Sequence, residues 1–371
     1  MHRGPFAGLP ASKQSASLRR SRRTAKHVLP LETCALQVVP PPKEKNKVES
    51  AAAPLVAPKP RVPRKTTEPE VLPPLLPRDE IERCTTLQQP KLPFDLQEAK
   101  VFLCAQDPRF IPLFEQVELT MYDEMLNSRV KDLNLFQTLT TSILGQQISW
   151  LAARSIKYKL CRLFAPHLPE TPDYGSMSPE QTPFPSPLAL LDATDDQLRY
   201  AGLSGAKMKY VRDVARRFAD GRLDVRRIVH MDYQECVAEL TQVKGVGRWT
   251  AEMLLMFALR NPNVLPVGDL GVQRGIVFFY LSGAGGPLVM ERKRKKDAEE
   301  TKERLVFALG SDPLPLPQTT SLSHAVLRSR AQGNKTKKNM YLDEAEMEAL
   351  AAPWAPFRSV ACMFMWSMID K

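Results

Sequence analysis

The amino-acid sequence predicts an all-α fold for the folded part of this chain. Apolar residues recur at helical spacing: Phe136, Leu139 and Ile143 would share one helix face, and a stripe four residues apart continues through the next segment. No stretch long enough for a sheet alternates convincingly between apolar and polar residues. These two observations favour packed helices over strands as the source of the core.

The first part of the chain, residues 1–92, is basic, rich in proline and without apolar periodicity. We expect it to be disordered, because such a segment buries too little apolar surface to offset the entropy of folding. No acidic residue precedes Glu32, and residues 18–23 read LRRSRR. This start fits a nuclear-localisation patch, an arginine- and serine-rich mitochondrial presequence, or a basic tail with non-specific DNA affinity. We expect a nuclear protein, and an additional mitochondrial pool stays open.

Helical periodicity begins at about residue 93 and continues to residue 282. Thr194 and Gln197 form the capping-box signature of a helix that stops near Gly202. The helix predicted at 248–260 is apolar nearly all round after its first turn, so we expect it to be buried. The other predicted helices lie at 136–143, 148–164, 208–218, 232–242 and 269–281.

Residues 283–339 interrupt this pattern with the charged run ERKRKKDAEE and the proline-rich run SDPLPLP. We expect an insert that is mostly disordered or loosely helical, whose basic run is solvated and attracts DNA without specificity. Apolar periodicity returns at Tyr341 and ends with PFRSVACMFMWSMI. The predicted folded core therefore comprises residues 93–282 and 340–371.

The chain is strongly basic, with a formal net charge of +11 and a pI of about 9.4. This balance indicates an anionic partner, either nucleic acid or an acidic membrane surface. No apolar run approaches the roughly 18 to 20 residues of a membrane span, and no apolar signal-peptide core follows the N-terminus. We expect a soluble, intracellular protein that binds no membrane.

The six cysteines lie far apart, without a CxxC pair and with only five histidines to assist them. Zinc and iron–sulfur sites need closely spaced thiolates, and the disulfide frameworks of secreted proteins are denser than this. We therefore expect reduced and mostly buried thiols, with no metal and no cofactor.

A turn with two glycines separates two of the predicted helices. Glycines two apart allow φ > 0 and expose successive backbone N–H groups. These donors lie at a helix N-terminus, where the helix dipole favours an anion such as phosphate. The turn that would bind a DNA backbone in this way comprises Lys244, Gly245, Val246, Gly247 and Arg248, with a basic residue on each side.

Other glycine loops fit this turn less well. A dinucleotide fingerprint needs a third glycine and a preceding strand, and a Walker loop needs GKS or GKT; neither is present. Taken alone, GVG has an ordinary turn between two helices as its default interpretation. The segments that follow it supply the specificity.

The pair LTQVKGVGRWTAEM (240–253) and PVGDLGVQRG (266–275) resembles the helix-hairpin-helix DNA glycosylase superfamily, specifically its alkylpurine branch, the 3-methyladenine DNA glycosylase II family. SILGQQIS (142–149) and PFRSVACMFMW (356–366) match further motifs of that family. The resemblance implies two helical subdomains flanking a cleft, and a monomer that binds damaged double-stranded DNA. It also implies base-excision repair, in which alkylated purines such as 3-methyladenine and 7-methylguanine are removed by hydrolysis of the N-glycosidic bond.

The resemblance places the family's catalytic aspartate at Asp269. Breaking the glycosidic bond develops an oxocarbenium ion on the sugar, which a nearby anion stabilises, and a water must be held for attack. Asp269 is the candidate for both tasks. It also precedes a predicted helix, so it can serve as a helix N-cap, and the two roles are compatible.

Trp249 follows GVGR directly, where the lyase-competent branches of the superfamily carry a lysine that forms a Schiff base. A tryptophan cannot do so, and the resemblance then implies a monofunctional enzyme that leaves an abasic site. The indole face would attract a cationic methylpurine. Trp366 would supply a second face, and Met253 would line the same wall, where bacterial relatives have an aromatic residue. Core packing is the alternative role for both tryptophans.

SILGQQIS carries the family's wedge position, the residue that fills the gap left by the flipped base, at Gln147, with Gln146 beside it. A polar helix terminus is the alternative role. Arg274 and Arg358 could each meet a phosphate or pair inside the fold, and the interior role is favoured for Arg358.

Two other functions are weighed against the monofunctional glycosylase. A non-catalytic helix-hairpin-helix DNA-binding module would need the hairpin and the basic arms, but not an aspartate, an aromatic pocket and a wedge together. A bifunctional oxidised-base glycosylase and lyase is disfavoured by Trp249. The preferred lesion among alkylated, deaminated and etheno purines stays open.

Overall fold

The computed structural model describes residues 72–126, 132–174, 182–283, 288–294, 301–307, 312–336 and 340–369. Helices make up most of this part of the chain, so the all-α prediction is confirmed. Most of the predicted tail, residues 1–71, and much of the charged run at 291–300 lie outside the described residues. In the part that is described, no helix combines the length and the apolar character needed to cross a membrane.

The first six helices of the described chain lie before residue 165, and the first of them falls within the predicted tail. They are α1 (Arg78–Thr85), α2 (Leu96–Gln106), α3 (Phe110–Gln116), α4 (Thr120–Leu126), α5 (Leu135–Gly145) and α6 (Trp150–Phe164). Two short strands, β1 (Thr86–Gln88) and β2 (Asp132–Asn134), pair antiparallel with Leu87 opposite Leu133. Asn134 then caps α5, since its side chain accepts a hydrogen bond from the backbone N–H of Gln137 at 2.8 Å.

The fold begins earlier than the sequence predicts. Residues 78–88, which fall in the tail predicted to be disordered, form α1 and β1. Ile81 and Cys84 of α1 are 3% and 2% exposed, and the backbone N–H of Leu76 donates to the carbonyl of Ala219 at 2.8 Å. The prolines nearby make this segment resemble the disordered tail in composition, but Cys84 of the helix packs into the main core.

The helices around the glycine turn follow the predicted order. They are α7 (Pro187–Asp192), α8 (Asp195–Tyr200), α9 (Gly205–Ala219), α10 (Val225–Ile228), α11 (Tyr233–Thr241), α12 (Arg248–Met253) and α13 (Leu270–Tyr280). The capping box of Thr194 and Gln197 is present as predicted. After α12 the chain continues as a π-helical turn, Leu254–Ala258, whose residues are almost all buried, so the predicted burial of this segment is confirmed.

The last part of the described chain contains two strands and three helices. They are β3 (Leu288–Arg294), β4 (Thr301–Phe307), α14 (His324–Ala331), α15 (Glu344–Ala351) and α16 (Arg358–Ile369), with a 3₁₀ turn at Ala352–Trp354. The strands β3 and β4 pair antiparallel. The predicted insert therefore contains a strand pair and a helix, where the sequence predicts mostly disorder. Leu327 of α14 is fully buried, which ties this part of the segment to the core.

Arg109 explains why residues after the charged run belong to the fold. The residue is 1% exposed, and Nη1 pairs with the Asp107 carboxylate at 2.6 Å. Its Nη2 donates to the carbonyls of Leu314 and of Pro315, the latter at 2.9 Å, and Nε donates to the carbonyl of Ser282 at 3.3 Å. One buried cation thus holds residues 314 and 315, which follow the charged run, close to Ser282, which precedes it, and each guanidinium nitrogen has an oxygen acceptor.

Helix α13 lies deep in the core and packs closely against α16. A Cβ on Gly275 would lie 2.6 Å from the Cβ and 2.8 Å from the Cα of Met365, so α13 and α16 approach more closely than any larger residue permits. Ile276 and Phe279 are fully buried. The N-terminal end of α13 is therefore held firmly against α16.

Candidate active site

Asp269 stands immediately before α13 and caps it. Its Oδ1 accepts a hydrogen bond from the backbone N–H of Val272 at 2.9 Å, and the residue is 5% exposed. The predicted N-cap role is thus present in the structure. It fixes the carboxylate at a helix N-terminus, where the dipole stabilises negative charge.

Two tryptophans complete the surroundings of this carboxylate. The indole N–H of Trp249 donates to Asp269 Oδ2 at 2.7 Å, and the indole N–H of Trp366 donates to Oδ1 at 3.0 Å. The two donors come from α12 and α16, so three helices meet at one side chain. The motifs predict that these residues share one site, but nothing in their spacing predicts that both indoles donate to the aspartate.

Of the residues predicted to line the base pocket, two are buried and one is partly exposed. Trp366 is 3% exposed and stacks on Phe257, with ring centroids 6.0 Å apart, so its face is covered by the core and not open to a base. Met253 is 2% exposed and cannot contact a base in this conformation. Trp249 is partly exposed, and it alone of the three predicted pocket residues presents surface to an incoming base.

Gly271 makes room for this arrangement. A Cβ at that position would lie 3.0 Å from Asp269 Oδ1 and 3.1 Å from Cδ1 of Trp366. Those distances are shorter than ordinary contacts, so a larger residue would press the carboxylate and the indole apart. The sequence shows this glycine within DLGVQRG, but the reason for it emerges only from the contact between α13 and α16.

The glycine turn joins α11 to α12, as predicted, but its two glycines act differently. Gly245 has φ of 87°, and a Cβ there would lie 2.4 Å from the ring of Tyr210. Gly247 has φ of −97° and serves as the N-cap of α12. The expectation of positive φ is therefore confirmed for Gly245 and wrong for Gly247, whose backbone any residue could adopt. Val246 between them is 6% exposed and anchors the turn in the core.

The two basic residues of the turn also differ. The Lys244 side chain is 69% exposed, with Nζ 3.7 Å from Asp213 Oδ1. Arg248 is bound in the fold, because its Nε lies 2.9 Å from Glu252 Oε1 and its Nη1 lies 2.6 Å from Glu344 Oε1. Of the pair expected to attract phosphate, Lys244 is the more exposed, whereas Arg248, with a side chain 41% exposed, links α12 to α15.

Glu252 is a functional candidate that the sequence analysis does not single out. It is completely buried, and its Oε1 accepts a hydrogen bond from the Tyr233 hydroxyl at 2.7 Å. Burial raises the pKa of Glu252, and burial together with this carboxylate raises the pKa of Tyr233 to about 12. The available signal is a lone acidic residue within the apolar segment at 248–260. It lies three residues after Trp249, so it supports the helix that carries the indole.

The two wedge glutamines are separated by the structure. Gln147 is exposed and has φ of 61°, a left-handed conformation that is uncommon outside glycine. Gln146 is partly buried, and its Nε2 donates to the carbonyl of Gly245 at 2.8 Å. Gln147 therefore presents its side chain to solvent, whereas Gln146 contacts the hairpin.

The remaining predicted residues fall into two groups. Arg274 is exposed, with its guanidinium 5.4 Å from the ring centroid of Phe278. Arg358 pairs inside the fold, as favoured, with Nη1 3.0 Å from Glu348 Oε2 and Nε donating to the carbonyl of Ala351 at 3.2 Å. Among the residues that the structure describes, no group of three or more histidine, cysteine or acidic side chains is placed to hold a metal ion. Most of the described cysteines are buried, as predicted.

Comparison with known proteins shows which family the region around these features is similar to. The model of the HhH-GPD superfamily of base excision DNA repair proteins matches residues 140–300, which contain the wedge, the hairpin and Asp269. The DNA-3-methyladenine glycosylase of Saccharomyces cerevisiae is 28% identical over 268 residues, covering 71% of this chain and 76% of the relative. The DNA-3-methyladenine glycosylase 1 of Schizosaccharomyces pombe is 32% identical over 98 residues, covering 26% of this chain and 43% of the relative.

A solved structure gives a further match, to the DNA-3-methyladenine glycosidase of Bacillus halodurans, with a TM-score of 0.43 and 23% identity over 76% of this chain and 90% of that one. Residues 140–300 thus match the HhH-GPD superfamily of base excision DNA repair proteins, and relatives named DNA-3-methyladenine glycosylase match the chain as well. The motifs resemble the alkylpurine branch of this superfamily. In agreement with that, both relatives are named DNA-3-methyladenine glycosylases.

Proposed function

We propose that this chain is a monofunctional DNA glycosylase that removes alkylated purines from double-stranded DNA and leaves an abasic site. The observation that carries this proposal is the carboxylate of Asp269, held by three N–H donors from α12, α13 and α16. The relatives named DNA-3-methyladenine glycosylase support the substrate class. A plain DNA-binding module needs no such carboxylate.

The hydrogen bonds suggest how Asp269 divides its two tasks. Oδ1 accepts from Val272 and Trp366, which occupy both of its lone pairs, whereas Oδ2 accepts from Trp249. The second lone pair of Oδ2 is the position we assign to the attacking water. The negative charge would stabilise the sugar cation as the base leaves, without reorganising, because the donors already fix the carboxylate.

Trp249 supports both the substrate class and the absence of strand cleavage. Its N–H is engaged by Asp269 while part of its ring stays exposed, so the ring is free to stack on a cationic base beside the carboxylate. It offers no amine for a Schiff base. Lys244 does not replace one, because its backbone N–H and its ammonium both face Asp213.

Gln147 and the hairpin support duplex DNA as the substrate. An exposed glutamine can fill the gap left by a flipped base and hydrogen-bond the orphaned partner base. Gly247 caps α12, and a phosphate is favoured at the backbone N–H groups of this helix's first turn. These contacts fix the enzyme on the backbone and do not read sequence.

The proposal also covers the oligomeric state of the protein and its location in the cell. We propose a monomer in the nucleus, supported by the self-contained carboxylate site on one chain and by the basic run at 18–23. Imaging of the full chain with and without residues 1–30 tests the location. Loss of nuclear accumulation on deletion supports it, and mitochondrial accumulation of the full chain would favour the presequence interpretation.

The reaction is tested with methylated duplex DNA, by measuring free methylpurines and strand breaks before and after alkali. We expect base release with breaks only after alkali. Breaks before alkali would show lyase activity and contradict the monofunctional assignment. Binding of DNA without release from alkylated, deaminated or etheno substrates would leave a DNA-binding module as the better description.

A further inference from the structure

The wedge loop, residues 146–149, contains a backbone conformation that needs support. Gln147 has φ of 61°, and non-glycine residues adopt this region at a cost that neighbouring contacts must offset. The loop connects α5 to α6, where the Ser149 side chain accepts a hydrogen bond from the N–H of Ala152 at 3.3 Å. Gln147 itself is exposed, so its own side chain does not explain why the conformation persists.

Gln146 holds the loop on the hairpin. Its Nε2 donates to the carbonyl of Gly245 at 2.8 Å, a contact between residues 99 positions apart in the chain. Gly245 is itself fixed, because its positive φ places it against the ring of Tyr210 on α9. A movement of the hairpin would therefore be passed directly to the residue before Gln147.

Lys207 holds the other side of the loop. Its Nζ donates to the carbonyl of Leu144 at 2.6 Å, in the last turn of α5, where a cation also interacts favourably with the helix dipole. Burial lowers the pKa of this ammonium, in keeping with its partly enclosed position. Lys207 lies on α9, three residues before Tyr210, so α9 supports both the loop and the hairpin.

We infer that Gln146 and Lys207 are positioning residues that lock the wedge loop to the hairpin, so that the phosphate-binding turn and Gln147 act as one preformed unit. This inference rests on the proposed function, since it assumes that Gln147 enters the DNA. It removes Gln146 from the group of residues that contact the bases. One N–H of its amide instead donates to the carbonyl of Gly245.

Fluorescence of 2-aminopurine tests this without any catalysis. The probe is placed opposite a tetrahydrofuran abasic-site analogue in a duplex, where a wedge that fills the gap changes its signal on binding. Gln146→Met keeps the length of the side chain and loses the donor. Gln97→Met makes the same exchange at an exposed glutamine on α2, and Gln147→Ala removes the wedge itself.

We expect the wild type and Gln97→Met to give the full signal change, and Gln146→Met to give the small change of Gln147→Ala at saturating protein. Base release from duplex DNA should fall by about 10- to 100-fold in Gln146→Met, with release from single strands unchanged, since misplacement of a positioning group has effects of this size. A merely structural role would lower both rates together. A full signal change in Gln146→Met overturns the inference.

Lys207→Met provides a second test that does not depend on the folding of Gln146→Met. We expect the same loss of signal, and a salt dependence of binding to undamaged duplex that matches the wild type. If Lys207 instead bound a phosphate, the slope of log K against log salt would fall by about 1. A reduced slope with an intact 2-aminopurine signal would contradict the positioning role.

The proposed function and this inference fail in different ways. Absence of base release from every substrate, with the full 2-aminopurine response and its loss in Gln146→Met, would contradict the glycosylase alone. Base release by the wild type, with duplex and single-strand rates that fall by the same factor in Gln146→Met, would contradict the positioning role alone.

Discussion

The carboxylate of Asp269 depends on two indole N–H groups that the enzyme places from distant parts of the chain. Trp249 has a partly exposed ring, whereas Trp366 is buried against Phe257. The same kind of hydrogen bond thus comes from one residue with exposed surface and from one that is buried. This difference allows orientation of the aspartate to be separated from recognition of the base.

Exchanging each tryptophan separates these effects. Trp366→Phe keeps the aromatic packing and loses one hydrogen bond to a charged group, so we expect base release to fall by about tenfold or more on cationic and neutral lesions alike. Trp249→Ala also removes the exposed ring, so release of cationic 7-methylguanine should fall further than release of neutral hypoxanthine. Single-turnover rates on both lesions measure this. Equal losses in Trp249→Ala would reject cation–π selection.

The buried Glu252 gives the protein a specific pH dependence. Burial raises the pKa of Glu252 above its ordinary value of 4.5, and the like charge of Glu344 raises it further. The contacts with Tyr233 and Arg248 lower the pKa but do not outweigh burial. The folded state therefore holds this proton to higher pH than the unfolded chain does. The stability that depends on the carboxyl is present at low pH and is lost as the pH rises above about 4.5.

Replacing this carboxyl tests the pH dependence. Glu252→Gln does not titrate, so its free energy of unfolding relative to the wild type should rise as the pH increases from about 4 to about 7. Urea unfolding at several pH values measures the difference. A difference that falls with pH would show that the ion pair with Arg248, and not burial, controls the group.

Among the elements, α13 and α16 form the contact that fixes the site. Gly275 lies against the backbone of Met365, and Gly271 lies between Asp269 and Trp366. Both glycines are on α13, one near the carboxylate and one about a turn further on. The separation of these helices therefore sets the geometry of the carboxylate.

Enlarging the helix contact should weaken both stability and activity. In Gly275→Ala the new Cβ would lie 2.6 Å from the Met365 Cβ, so we expect a loss of about 1–3 kcal/mol in the free energy of unfolding and slower base release. Gly205→Ala, where nothing lies within 4 Å, is the matched control. Urea unfolding of the two variants measures the effect. Equal stability in both would show that the two helices can separate freely.

Across the whole molecule, the sequence predicts features that depend on neighbouring residues, such as helix caps. It does not predict hydrogen bonds between residues that are far apart in the chain. The capping box of Thr194 and the position of Asp269 before a helix follow from short motifs. The hydrogen bond from Trp366 to Asp269 joins residues 97 positions apart, and no spacing rule reveals it. Arg109 likewise finds its carbonyl partners more than 170 positions away, which is why part of the charged insert proved to be folded.

The net charge is also a property of the whole molecule. The net charge of +11 favours DNA in general, but the exposure of Lys244 and the pairing of Arg248 show that net charge does not say which cations are available. Phosphate contacts confer affinity that falls with salt and carries no sequence preference. Specificity for damage must therefore come from the site around Asp269.

The central claim is that Asp269 performs the excision, and one variant tests it most directly. Asp269→Asn keeps the shape and the N-cap of the side chain but removes its charge, and Asp95→Asn makes the same exchange at the N-cap of α2. We predict that single-turnover release of methylpurines from duplex DNA falls on the order of 100-fold or more in Asp269→Asn, with DNA binding retained, and is unchanged in Asp95→Asn. Release by Asp269→Asn at the wild-type rate would contradict the account.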